Sequence, residues 1–229
     1  MIVHGSFYKL PEILMSYEDR DGVYESNIVH LLASSIVLEL NSRNINNPLN
    51  YIQVEKRYKA TENLRCDIFC DFSSIVNESF LKPYSLTTKN WIEVKYYGSL
   101  NRASGSETKT DSVGKFLNDF YRLITRVQST SYCTKFVLAI FNDNPQKYLA
   151  FTYQNKHERE WLFSIFETGA TKSVVKLCNE PESVYKHIED SGVKEIELYT
   201  RTTKFEPHKE KLGFWGYLIQ VEDGSTVRT

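Results

Sequence analysis

The chain predicts an α/β fold in which a central mixed β-sheet is flanked by helices. Three features lead there. Long segments repeat apolar residues every three or four positions, short segments alternate apolar with polar residues or run apolar throughout, and the first elements follow the order helix, strand, strand, strand, helix, strand. The 229 residues suffice for one substantial domain with a well-buried core, so residues 1–229 are expected to form a single domain. Residues 23–142 read as its core and residues 143–229 as an elaboration.

From Glu25 to Leu40, apolar side chains at Ile28, Val29, Leu32, Ala33, Ile36, Val37 and Leu40 form the stripe of an amphipathic helix. The asparagines that follow, with Pro48, end it. Residues 51–58 set Ile52 and Val54 against Gln53 and Glu55, as a strand does, and Thr61 to Leu64 then turns the chain into a strand containing Asp67. Residues 73–89, with Pro83, read as an insertion carrying one helical turn before a strand around Glu93. Residues 99–111 are polar and without apolar period, so a mobile loop is expected there. Val113, Phe116, Leu117, Phe120, Leu123, Ile124 and Val127 predict a second amphipathic helix over 111–127, and residues 135–141 a strand buried on both faces. Further on, residues 148–153, 174–177, 194–203 and 213–221 read as strands and residues 157–166 and 182–190 as helices.

Composition narrows the function. A formal net charge of -1 excludes a polycation that binds nucleic acid through bulk charge, so any such affinity needs a local basic surface. No apolar run reaches the length of a membrane span and no leader pattern opens the chain, which makes a cytoplasmic location the expectation. The cysteines at 66, 70, 133 and 178 have no CxxC pairing or histidine partner at zinc spacing, so free thiols are expected. The histidines make no HNH or HExxH pattern, and no phosphate-binding glycine loop, nucleophile elbow or Rossmann fingerprint is present.

The chemistry concentrates in Asp67 and in Glu93-Val94-Lys95. Side chains alternate across a strand, so Glu93 and Lys95 share one face while Ile92 and Val94 take the other. If the neighbouring strand brings Asp67 to the same edge, two acids and an amine stand together, the equipment for holding a divalent metal and an attacking water. The alternative is a cross-strand salt bridge on a solvated face, worth about 0–1 kcal/mol.

Asp67 followed by Glu93-x-Lys95, within that order of elements, resembles the PD-(D/E)xK nuclease superfamily and among its members most resembles the type II restriction endonucleases. The proline that usually precedes the aspartate is replaced by Cys66. The resemblance implies a restriction-endonuclease-like core, Mg²⁺ with Mn²⁺ able to substitute, hydrolysis of DNA phosphodiester bonds in a double-stranded substrate, and a homodimer. It implies Asp67, Glu93 and the Val94 backbone carbonyl as metal ligands, Lys95 as the group that orients water, and Glu25, at the start of the first predicted helix, as a ligand of a second ion or its waters. Glu25 has a simpler alternative as an acid in a first helical turn. Residues 143–229 would then help grip substrate or make the dimer. Lys56, Arg57, Arg102, Lys109, Lys115, Arg201 and Lys204 are candidate phosphate contacts, while Asp119 and Arg122 read as a helix-surface pair. A repair, junction-resolving or RNA-directed nuclease with the same core, and a silent nucleic-acid or partner-binding module, are the alternatives.

Overall fold

A computed structural model describes residues 1–16, 22–98, 108–127, 133–153, 157–190, 192–207 and 213–228. Helices α1 (Ile2–Met15) and α2 (Glu25–Ser42) are followed by strands β1 (Ile52–Arg57), β2 (Arg65–Asp71) and β3 (Lys89–Tyr97), helix α3 (Lys109–Arg126) and strand β4 (Cys133–Phe141). The remainder holds β5 (Thr152–Tyr153), β6 (His157–Glu158), α4 (Glu160–Phe166), β7 (Gly169–Lys176), α5 (Glu182–Tyr185), β8 (Val193–Phe205) and β9 (Trp215–Arg228). The predicted α/β class with a central mixed sheet is what the chain adopts. Among the described residues the main sheet has seven strands in the order β1-β2-β3-β4-β9-β8-β7. Residues 143–229 thus contribute three strands to the sheet begun by the core.

The β3–β4 pair is parallel and its neighbours antiparallel. Parallel neighbours need a crossover, and α3 supplies it, which lays that helix across one face of β3. On that face Trp91, Tyr97, Val137, Ala139 and Ile219 pack with Val113, Phe116, Leu117, Phe120 and Leu123 of α3. On the opposite face Ile92, Val94, Tyr96, Phe136, Leu138 and Ile140 pack with α1 and α2. The fully buried Phe7, Leu10, Leu14, Ile28, Leu32, Ile36 and Leu40 seal this second core. Each such side chain contributes about 1.5–3 kcal/mol by leaving water.

Several expectations need correction. Helix α1 occupies a stretch to which the sequence reading assigns no element: Val3, Phe7, Leu10 and Leu14 repeat at helical spacing even though Pro11 interrupts the hydrogen-bond ladder. The strand expected over 148–153 is cut to Thr152–Tyr153, because Asn144 caps a short turn that draws the Tyr148 N–H onto the Pro145 carbonyl. The helix expected from residue 157 begins at Glu160, since Glu158 pairs with Thr152. The helix expected over 182–190 ends at Tyr185. The insertion over 73–89 carries two short 3-10 turns instead of one helical turn. Lys109 is not on the polar loop. It opens α3, where Thr108 accepts the Asp111 N–H, and its Nζ donates to the Gln146 carbonyl at 2.9 Å. All four cysteines are free, and no helix among the described residues is long and apolar enough to cross a membrane.

Candidate active site

Strands β2 and β3 pair from Asp71↔Lys89 up to Ile68↔Ile92 and then part, so Asp67 and Glu93 are the first residues beyond the ladder. In the opening, Asp67 Oδ2 accepts the Val94 N–H at 2.7 Å. On the other flank of β2 the register passes from Val54↔Ile68 to Lys56↔Cys66, and Glu55, at the level of Asp67, holds a left-handed φ of 57°. That conformation costs a non-glycine residue about 1–2 kcal/mol, so the backbone is strained beside the candidate aspartate.

Glu93 and Lys95 lie on the face covered by α3, and Asp67 is near enough for its charge to act on both. They are not on a solvated face. Glu93 is 1 % exposed, and its Oε1 accepts the Tyr58 hydroxyl and lies 3.4 Å from Arg122 Nη2. Lys95 Nζ is 3.4 Å from Asp119 Oδ2 and 3.5 Å from Glu25 Oε1, and the other oxygen of Glu25 faces the Tyr96 N–H at 3.4 Å. Glu25 reaches this point because it opens α2, whose first turn is fixed by the Asn27 side chain accepting the Tyr24 N–H at 2.9 Å.

Asp119 and Arg122 are the residues that sequence reasoning misplaced. Asp119 is 2 % exposed and Arg122 lies mostly inside, with Nη2 on the Arg65 carbonyl at 2.5 Å and Nη1 3.8 Å from Asp119 Oδ1. They are part of the centre and not a surface pair. A signal existed: Asp119 falls three residues after Phe116 and four before Leu123, in the middle of the apolar stripe, where an aspartate stays charged only if it is paired. Tyr58 carried no comparable signal.

The charges do not balance. Asp67, Glu93, Asp119 and Glu25 bring four carboxylates against the cations Lys95 and Arg122. Burial pushes the Glu93 carboxyl well above the ordinary range, Asp119 and Asp67 push it further, and Arg122 and Tyr58 only partly oppose them. Burial likewise raises Asp119 to about 6 despite Lys95 and Arg122. Burial pulls the Lys95 ammonium down, but Asp119 and then Glu25, Asp67 and Glu93 outweigh it and hold the proton on more tightly than in an ordinary lysine. Tyr58, raised first by burial and then by Glu93, remains a neutral donor. Asp119 Oδ2 accepts no hydrogen bond among the described residues. Excess negative charge and hard oxygen donors suit a hard divalent cation, although Asp119 Oδ2 is already ion-paired with Lys95. No group of three His, Cys, Asp or Glu side chains among the described residues converges tightly enough to hold a metal by itself. An ion held by two carboxylates, a carbonyl and water does not require three.

The candidate phosphate contacts are dispersed. Lys56 is partly buried, with Nζ 3.6 Å above the Phe69 ring, and burial lowers its pKa. Arg57 is exposed at the end of β1 and Lys115 is exposed on α3. Arg201 and Lys204, on β8, are three strands from β3 and are paired with Glu222 and Glu206, each at 2.6 Å. Arg102 lies outside the described residues.

No family model, no curated protein and no solved structure matches this chain.

Proposed function

We propose that this chain is a metal-dependent phosphodiesterase acting on DNA, a nuclease of PD-(D/E)xK type and of the kind represented by type II restriction enzymes. One observation supports the reading: two acids from adjacent strands and the lysine two residues beyond the second acid lie close enough for their charges to act on one another, in a cluster where carboxylates outnumber cations. The arrangement of α2, β1, β2, β3, α3 and β4, with β3 and β4 parallel, supports it.

Asp67, Glu93 and the Val94 carbonyl would hold Mg²⁺ or Mn²⁺, and Glu25, which sits on Lys95, would bind an accompanying water. The ion supplies charge neutralisation at the phosphate and a water of lowered pKa. Lys95 would orient the attacking water and counter charge that builds on the phosphate oxygens in the transition state. Asp119 and Glu25 hold the Lys95 ammonium from two sides, and Arg122 fixes Glu93. A homodimer cutting both strands of a duplex accompanies this reading, because it is the usual working form of the enzymes resembled. The same core also serves repair, junction-resolving and RNA-directed enzymes.

A second reading, a silent binding module that kept the fold, draws on one observation: Tyr58 and Arg122 already satisfy Glu93 Oε1. Incubation with plasmid DNA and Mg²⁺ or Mn²⁺ separates them. Discrete metal-dependent bands that disappear in Lys95→Ala support a restriction-type nuclease, a smear supports a nonspecific one, and a mobility shift without cutting supports the module. Calorimetric titration with Mn²⁺ provides a separate check, since equal binding by wild type and Asp67→Ala removes the metal site.

A further inference from the structure

Beside the carboxylates, on the outer side of Tyr58, lies an open groove of about 600 Å³ formed where β1 and β2 end. Lys56, Arg57, Tyr58, Arg65 and Trp91 line it, with Glu55 as its acid. Arg57 and Arg65 are directly opposite each other across the β1–β2 ladder. Like charges in that relation repel and weaken a sheet. Little inside the protein compensates: Arg57 makes a 3.4 Å contact with the Ala60 carbonyl, and Arg65 lies 3.7 Å from an exposed Glu55. Three cations against one carboxylate give this rim a local surplus of two positive charges in a chain of net charge -1.

The groove is physically joined to the site behind it. Tyr58 stacks on Trp91 at 5.3 Å between ring centroids and gives its hydroxyl to Glu93, while Arg122 bonds the backbone carbonyl of Arg65. A polyanion laid along Arg57 and Arg65 is therefore delivered to the opening where β2 and β3 part. We infer that the Arg57–Arg65 pair is the phosphate clamp that seats the backbone of a nucleic-acid strand at the carboxylate centre. The inference rests on the hydrolase reading for the identity of the ligand, and the repulsion between the two arginines is what the phosphates relieve.

The test is fluorescence anisotropy with a labelled DNA duplex, and the same strand unpaired, in EDTA over a salt series. Wild type is compared with Arg57→Ala/Arg65→Ala and with Lys172→Ala/Lys176→Ala, which removes the same charge from β7. The first double variant is expected to bind about tenfold more weakly, with a log–log salt slope on the duplex shallower by about 1.8, the loss of two phosphate contacts. Its melting temperature should equal or exceed that of wild type, since a repulsion is gone, and the β7 variant should bind as wild type does. Failure of wild type to bind either probe, an unchanged slope in the first variant, or equal losses in both variants would overturn the clamp. Cleavage in Mg²⁺ is scored separately. Arginine-dependent binding without cleavage removes the catalytic reading and leaves the clamp, whereas cleavage indifferent to the arginines removes the clamp and leaves catalysis.

Discussion

Replacing Asp119 with asparagine separates two accounts of the buried charges. Asp119 has its carboxyl raised from 3.8 to about 6, chiefly by burial, with Lys95 and Arg122 opposing. Between those pH values the folded protein keeps a proton that the unfolded chain releases. Stability contributed by this group is therefore complete below about pH 4 and is lost as pH rises through 6. The shift corresponds to about 3 kcal/mol by pH 7, and Glu93, raised in the same direction, adds to the slope. Asparagine has nearly the shape of the protonated acid and no charge to desolvate. It leaves Glu25 beside Lys95 and Glu93 beside Arg122. Metal-free Asp119→Asn should match wild type near pH 4 and exceed it by about 1–3 kcal/mol at pH 7.5. Urea unfolding of both proteins across that range reads the difference directly; carboxylates remote from Asp119 cancel, while Glu93, no longer pushed up by Asp119, adds to the gain. A variant less stable than wild type by about 3–5 kcal/mol at pH 7.5, as expected when a net-stabilising buried ion pair is broken, would refute the reasoning. Cleavage by the variant should fall even as its stability rises, because Lys95 loses one of the two groups that aim it.

Three structural predictions accompany it. Glu180→Ala should cost about 3–5 kcal/mol in urea unfolding, because Glu180 is the carboxylate of the fully buried Arg159 and the acceptor of the Trp161 indole N–H at 2.9 Å. Gly114→Ala should destabilise by about 1–3 kcal/mol despite the helix preference for alanine, since its Cβ would sit 2.5 Å from His187 and 2.7 Å from the Val184 carbonyl. Thermal or urea unfolding checks the sign. Leu10→Ala should cost about 2–5 kcal/mol if α1 belongs to the cooperative core, and a change below about 0.5 kcal/mol, the range of surface substitutions, would mean that the helix frays independently.

Periodic elements were legible in the sequence and punctuated ones were not. The apolar stripe of α2 and that of α3 both resolve to helices within two residues of where the spacing places them, and the alternation of β3 fixes its strand and faces; β1 is a strand as expected, but Val54, placed on its apolar face, is exposed. Helix α1 was hidden by Pro11, which suggests a break but is accommodated in place. In the C-terminal half, short helices give too few turns for a period to emerge. For the candidate site, Glu93 and Lys95 could be placed side by side because strand spacing assigns faces. Asp119 and Arg122 escaped because an acid and an arginine three residues apart look the same on a wet helix face as on a buried one; only the surrounding Phe116 and Leu123 distinguish the cases. Tyr58 reaches Glu93 through a contact between residues 35 positions apart, which no local pattern encodes.

Lys95 is held by one acid from each of the two helical layers that sandwich the sheet, Glu25 from α2 and Asp119 from α3. Neither layer alone can assemble that grip. A molecule whose first two helices have peeled away, or whose crossover helix has lifted, loses half of what steadies the ammonium before its strands come apart. The setting of this ammonium is therefore tied to completion of the whole structure.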